Sequence, residues 1–200
     1  MNILLETGLP EKINGAPIYA DFRNMIRFEA ILEDAEFSPT EKIMVGLNQL
    51  YAESPKDIEA AIEGLLWFYF CGRPQGKGQG TRKTAPRAYS FEEDSSHIYS
   101  AFYSAYGISL TTVKFLHWWE FMALLEGLPD TTKMSQIMYY RTVDTTGMKG
   151  EQKKHAEAMK KRFALPETKN KSLQQIALDG NARVKKRFEE AQRQISAKGG

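Results

Sequence analysis

The sequence contains little cysteine, histidine or tryptophan, and it has no long apolar run. Its 200 residues include one cysteine, three histidines and three tryptophans. The single Cys71 cannot form an internal disulfide, or a cysteine-based zinc site by itself. The apolar stretch IEGLLWFYFC has about half of the roughly 20 residues that a membrane-spanning helix needs. The N-terminal MNILLETGLPEK lacks the basic start of a signal peptide, so we expect a cytosolic protein without a membrane span.

Charge is distributed unevenly, although the formal net charge of the chain is only +2. Residues 1–70 hold 5 Lys and Arg against 12 Asp and Glu, a net −7, and residues 71–90 hold 5 basic residues and no acidic ones. Residues 151–200 hold 13 basic against 6 acidic residues, a net +7. This division favours electrostatic pairing, either within a homo-oligomer or with an anionic partner. The alternative is that the basic end is an ordinary solvated helix.

Three helix starts carry the same signal. The segments SPTE, SPKD and SFEE each place an acidic residue three positions after a serine, at residues 38–41, 54–57 and 90–93. The serine oxygen can accept a hydrogen bond from a free N–H of the first helical turn. Asn14-Gly15 lies between short apolar runs and predicts a hairpin turn. We therefore predict a mainly α fold with a short N-terminal β-hairpin and helices over about residues 21–35, 39–52, 55–71, 91–105, 112–126, 132–142 and 149–164.

These elements predict a compact helical domain over residues 1–165, followed by a basic, partly helical C-terminal tail over residues 166–200. A basic segment rich in glycine and proline interrupts the domain at residues 72–90, and we expect it to be a flexible surface loop. The segment does not match the phosphate-binding P-loop pattern, because Lys77 is followed by glycine rather than Ser or Thr.

The segment LHWWEFMALLEGLPD, residues 116–130, brings a histidine and two tryptophans together. An advance of about 100° per residue places both tryptophans on one apolar arc, and it places His117 and Glu120 on the opposite side. Aromatic side chains of this size usually fill a core. We therefore interpret the cluster as the interior of the protein. The predicted structural core consists of Trp67, Phe102, Phe115, Trp118, Trp119, Met122 and Leu125.

Motifs of catalysis and cofactor binding are missing from the sequence. His97, His117 and His155 lie on three different predicted helices, without the His-x-x-x-His spacing of a zinc site. Cys71 follows four aromatic residues and is better explained as a small buried hydrophobe than as a nucleophile. We therefore expect a protein that is not an enzyme, with no catalytic residues, metal or cofactor.

A series of motifs extends along most of the chain. FEEDSSHIYSAFYSAYGISL is followed by the double-tryptophan helix and by Ile-Met-x-Tyr-Arg. Two further segments lie N-terminal to this stretch, and they are INGAPIYADFRNMIRFEAIL and SPKDIEAAIEGLLWFYFCG. Over roughly residues 10–165 the series resembles the bacteriophage "gene product fifteen" family.

This resemblance implies a protein encoded in the tail-morphogenesis module of a phage or prophage, near the tape-measure gene. Such proteins are taken to be tail assembly chaperones, which bind the tape-measure protein and keep its apolar helices soluble while tail-tube subunits polymerise around it. The implied partners are the tape-measure protein and the tail-tube protein. The implied location is the host cytoplasm, with absence from the mature virion.

Binding of such a client requires an adaptable surface, and methionines beside basic residues suit one, although such methionines are more often ordinary residues that fill gaps in a core. Two alternatives are a structural connector in the finished tail and a nucleic-acid-binding protein that acts through its basic tail. The acidic segment of residues 1–70, which we call the acidic head, would repel phosphate, and the sequence contains no known nucleic-acid-binding motif. Nucleic-acid binding is therefore the weaker of the two alternatives. The predicted partner surface consists of Met159, Arg183, Lys185, Lys186, Arg187 and Phe188.

Overall fold

The computed structural model describes residues 8–73 and 86–166. Within these ranges it confirms a mainly helical fold with an N-terminal antiparallel hairpin. None of the described helices combines the length and the apolar character that would let it span a membrane. The elements are β1 (Lys12–Ile13), β2 (Ala16–Pro17), α1 (Phe22–Glu33), α2 (Pro39–Leu50), α3 (Ile58–Tyr69), α4 (Ser95–Tyr106), α5 (Trp118–Glu126), α6 (Lys133–Thr142) and α7 (Gly150–Arg162).

The described residues group into two compact units. Unit 1 contains residues 8–73 and Leu116–Trp119, and unit 2 contains residues 86–115 and 120–166. The predicted domain bounds of 1–165 and 166–200 stay predictions. Most of the predicted loop at 72–90, and all of the tail after Pro166, lie outside the described residues.

The hairpin of unit 1 turns at Asn14-Gly15, as the sequence predicts. Both residues have positive φ, 50° and 82°, which a two-residue type I′ turn requires. The hairpin approaches α3 closely at Gly64. A side chain at that position would collide with the Tyr51 hydroxyl and with a methyl group of Ile13. Glycine at this position therefore leaves room for the side chains of Tyr51 and Ile13 against the helix.

Backbone pairing between distant segments sets the true start of α5. Asp21 and His117 form an antiparallel bridge. The Trp118 N–H donates to the Ala20 carbonyl at 2.8 Å, and the Phe22 N–H donates to the Leu116 carbonyl at 2.9 Å. Because these groups pair between segments, the chain is extended at residues 116–117 and the helix begins at Trp118.

The predicted helix over residues 112–126 is therefore wrong in its first turns, and the assignment of Phe115 to the core is also wrong. Phe115 precedes the helix, and its side chain is 57% exposed. The other predicted core residues are Trp67, which is partly buried, and five buried ones: Phe102, Trp118, Trp119, Met122 and Leu125.

The three serine signals have different outcomes. Ser38 forms the predicted capping box with Glu41 at the start of α2. Helix α3 starts later than predicted, because the carboxylate of Asp57, rather than Ser54, accepts from the N–H of Ala60 at 3.1 Å. Residues 91–94 form a turn, and α4 begins only at Ser95. Polar spacing thus located each start to within about four residues, and at α3 the competing Asp57 decided the first helical residue.

A buried lysine joins the first two helices of unit 1. Lys42 of α2 donates from Nζ to the carbonyl of Leu32 in the last turn of α1, at 2.7 Å. Burial lowers the pKa of the Lys42 ammonium, and the nearby carboxylate of Asp34 opposes that change. The contact supplies a partner for a carbonyl that α1 itself leaves unpaired.

Tyr51 provides a test of this interior through alkaline titration. Its hydroxyl donates to the Ala61 carbonyl at 3.2 Å, and burial raises its pKa to about 12. The folded state therefore keeps the phenolic proton at a pH at which the unfolded chain has lost it. The part of the folding stability that is linked to this proton is fully present below about pH 10, and it is lost as the pH rises toward 12.

We predict that the unfolding free energy of the wild type, measured with urea, falls by about 1 kcal/mol more between pH 8 and 11 than that of Tyr51→Phe. Tyr19, which is 52% exposed, supplies the control. Tyr19→Phe should keep the full alkaline decline. Parallel pH curves for wild type and Tyr51→Phe would contradict the prediction.

Candidate functional site

The two adjacent tryptophans stabilise the end of a neighbouring helix. Their indole N–H groups donate to the carbonyls of Tyr69 and Phe68, at 2.9 Å from Trp118 and 2.8 Å from Trp119. Both carbonyls lie in the last turn of α3, where no further residue of the helix can pair with them. The cluster that the sequence singles out is thus a structural cap, and its rings are buried.

His117 forms buried hydrogen bonds inside unit 1. The predicted position of this residue, beside Glu120 on a polar helix face, is wrong. The side chain is 3% exposed. Its Nδ1 accepts from the backbone N–H of Trp119 at 3.0 Å, which leaves the ring proton on Nε2, facing the Pro10 carbonyl at 3.1 Å. Histidine here takes the position and role that serine or aspartate usually has before a helix.

A buried ion pair organises unit 2. Asp94, the residue before α4, and Arg141 of α6 form a bidentate pair, in which Nη2 of Arg141 lies 2.9 Å from Oδ1 of Asp94. Their side chains are 4% and 8% exposed. The Ser90 N–H donates to the same carboxylate at 2.9 Å. This pairing draws Asp94 into the interior and explains why α4 begins after it.

Arg141 also binds two backbone carbonyls. Its Nε donates to Phe163, at the end of α7, at 2.6 Å, and its Nη1 donates to Ala88 at 3.2 Å. One guanidinium therefore fixes the start of α4, the end of α7 and the segment that leads into residue 90. A lysine could not replace it, because a single ammonium lacks the planar fork of donors.

The opposite side of α4 forms an exposed surface without charge. No Asp, Glu, Lys or Arg occurs anywhere in residues 95–113. Tyr99 and Tyr103 lie one turn apart on this side, 36% and 60% exposed, with parallel rings whose centroids are 6.3 Å apart. We call this surface the tyrosine–serine face; it consists of the exposed residues Ser95, Ser96, Tyr99, Ser100, Tyr103 and Ser104.

Sequence reasoning missed this face, although the signal was available. Soluble surfaces usually carry about 25–35% charged residues, so a helix with none on its solvent side is unusual. Tyrosine and serine together are also the residues that antibody loops favour for binding, because tyrosine gives a large contact area at a low entropic cost.

The buried side of α4 fixes the face in place. Phe102 is fully buried and stacks on Phe121 with ring centroids 5.0 Å apart. Tyr106 donates from its hydroxyl to the Leu124 carbonyl at 2.8 Å, and burial raises its pKa. With Asp94 held at one end and Tyr106 at the other, the exposed tyrosines stand on a well-packed helix.

The predicted partner surface is largely outside the described residues. Met159 lies on α7 and is partly buried. Lys154, Lys161 and Arg162 are exposed on the same helix, and Lys154 pairs with Glu151 at 2.8 Å. The other predicted members, Arg183, Lys185, Lys186, Arg187 and Phe188, lie outside residues 8–73 and 86–166.

The described titratable residues do not form a metal centre. No group of three or more His, Cys, Asp or Glu side chains in these ranges is arranged to hold a metal ion. The three histidines have separate surroundings: His117 is buried, His97 is partly exposed on α4, and His155 is exposed with Nε2 3.3 Å from the Tyr140 hydroxyl.

Fold and surface together define a mainly helical protein with an uncharged, exposed aromatic face on α4. A family model described as "Bacteriophage Gp15 protein" matches residues 10–165, which is well over half of the chain. The chain therefore belongs to the bacteriophage Gp15 family and is a phage protein. No curated protein and no solved structure matches it.

We predict that His117→Ala lowers the unfolding free energy by about 2–4 kcal/mol, because it leaves the Trp119 N–H and the Pro10 carbonyl without their partner. The exposed His155 is the matched control, and His155→Ala should cost less than about 1 kcal/mol. Urea denaturation at pH 7.5 measures both. Equal losses in the two variants would exclude a special role for the buried ring.

For the ion pair, Arg141→Met should lower the unfolding free energy by about 3–5 kcal/mol, because the Asp94 carboxylate stays buried without its counter-charge. The control Arg162→Met removes an exposed arginine from α7, and it should change the unfolding free energy by no more than about 0.5 kcal/mol. In Asp94→Leu/Arg141→Met the loss should be smaller than in Arg141→Met alone. A double variant less stable than the single one would refute this account.

Proposed function

We propose that this phage protein is a tail assembly chaperone that binds the tape-measure protein while the tail tube is assembled. Its sequence resemblance and family membership supply the phage context, and the tyrosine–serine face carries the binding role. On this proposal the protein acts in the host cytoplasm, is absent from the mature virion, and catalyses no reaction.

The tyrosine–serine face supports the proposal through its chemistry. A chaperone for apolar helices needs a surface that tolerates many client sequences and releases each client later. Tyrosine rings offer apolar area, while the tyrosine and serine hydroxyl groups both donate and accept hydrogen bonds. With no charged group to desolvate, the face binds without the penalty that ionic surfaces incur on burial.

The basic surface of α7, with Met159, is a second element that we assign to partner binding. Its lysines and arginine would hold acidic client segments or the acidic residues of a second copy. A homo-oligomer formed by pairing the acidic head with the basic tail would offer several such surfaces to one long client. Tail-tube protein is the further partner that this role implies.

Co-expression with the tape-measure protein tests the function. We predict that this chain raises the soluble fraction of tape-measure protein several-fold and is recovered with it in a pull-down. Mass spectrometry of purified virions should detect the tape-measure protein and not this chain.

Recovery of the chain from virions at a fixed ratio to tail proteins would instead identify a structural connector. Retention on DNA-cellulose that falls steeply with salt, without tape-measure binding, would identify a nucleic-acid-binding protein. Either result would overturn the chaperone proposal.

A further inference from the structure

We propose that the tyrosine–serine face of α4 docks one α-helix of the partner in an antiparallel orientation, and that this helix carries an uncharged stripe and Lys or Arg residues in its last turn. The proposal rests on the proposed function and names the chemistry of the client. It uses three properties of the face: its relief, its area and the charge at one end.

The relief of the face matches a helix. Ser95, Tyr99 and Tyr103 form one ridge of residues spaced by four, and Ser96, Ser100 and Ser104 form the neighbouring ridge. The first ridge contains tall aromatic side chains and the second only small ones, so a groove lies beside the tyrosines. Ridges spaced by three on another helix pack into such grooves with the two axes about 20° apart, so that the second helix lies along the face.

The area of the face selects a single helix over a second globular copy. Helix α4 has 12 residues and is therefore about 18 Å long, and a helix is about 10–12 Å wide. A contact of this size buries a few hundred Å² per partner, whereas a stable interface between globular proteins needs about 800 Å² on each side. One client helix covers the face completely, and its weak binding allows release.

Charge sets the direction of the client helix. Glu92 and Glu93 are exposed immediately before α4, and the next charged residue after Asp94 is Lys114. Helices favour basic residues in their last turn, where they complement the helix dipole. An antiparallel client places that last turn beside Glu92 and Glu93, whereas a parallel client places its acidic first turn there. The acidic end of α4 therefore favours the antiparallel arrangement.

Designed peptides test this directly with the full-length protein. The probe is a fluorescent, end-capped helical peptide of about 18 residues, with an Ala/Leu stripe and three Lys in its last turn. A second peptide of the same composition has the three Lys in its first turn, and circular dichroism checks that both are helical. Fluorescence anisotropy should show at least about threefold tighter binding of the first peptide in ~0.1 M salt, and the difference should disappear at ~0.5 M.

Variants of the face provide the second arm. Tyr99→Ser/Tyr103→Ser should weaken binding of the first peptide by about tenfold or more, since aromatic anchors dominate such contacts. Tyr139→Ser removes a tyrosine of similar exposure, 55%, from α6 and should leave the affinity unchanged. Glu92→Lys/Glu93→Lys should remove the preference between the peptides. Glu92→Gln/Glu93→Gln repeats that test with a smaller effect on the start of α4.

Four outcomes separate this proposal from the proposed function, when the same variants are used in the tape-measure pull-down. Loss of peptide and tape-measure binding in the Tyr99/Tyr103 variant, but not in Tyr139→Ser, supports both. Tape-measure binding that is indifferent to Tyr99 and Tyr103 overturns the docking proposal and leaves the chaperone function intact. Direction-dependent peptide binding without tape-measure binding supports the docking site and overturns the function. Light scattering that shows a dimer lost in Tyr99→Ser/Tyr103→Ser assigns the face to a second copy and overturns the helix-docking proposal.

Discussion

The described helices end in carbonyl groups that have no partner within the helix, and the fold depends on how these groups are satisfied. Helix α4 uses the common solution, a left-handed Gly107 that donates back to Tyr103 at 3.0 Å. At the end of α2, the Leu50 carbonyl accepts a hydrogen bond from the backbone N–H of Tyr19. The other helix ends receive a side-chain donor from a different element. These donor–acceptor pairs are Lys42 with Leu32, Trp118 with Tyr69, Trp119 with Phe68, Tyr106 with Leu124, Arg141 with Phe163, and Lys160 with Val143.

This arrangement explains the polar groups in the interior. Lys42, His117 and Arg141 are buried, and each of them pairs with backbone carbonyl groups. Within residues 8–73 and 86–166, no fully buried side-chain nitrogen or oxygen lacks a hydrogen-bond partner. Lys42 and Arg141 hold helix ends in this way, whereas His117 connects Pro10 to the start of α5. The tyrosine–serine face of α4 lies on a side of the helix that makes none of these contacts.

The sequence predicted the helical class, the Asn14-Gly15 turn and the burial of the two tryptophans. It did not predict the exposure of Phe115 or the buried role of His117, because both follow from the bridge between Asp21 and His117. An apolar pattern with helical period predicts a helix over its whole length. Pairing with a segment almost a hundred residues earlier overrides that pattern, and no local signal announces it.

Helix starts depend on nearby residues in the sequence, whereas helix ends depend on tertiary contacts. The capping side chains of Asp21, Ser38, Asp57 and Thr132 each accept from an N–H two or three residues later, so the sequence by itself determined where these helices begin. The side-chain donors at the helix ends lie between 10 and 51 residues from their carbonyls. Only the tertiary structure decided those partners. A side chain reaches the N–H groups of the turn that follows it, whereas the last carbonyls of a helix point away from their own helix, toward whatever the fold places beyond it.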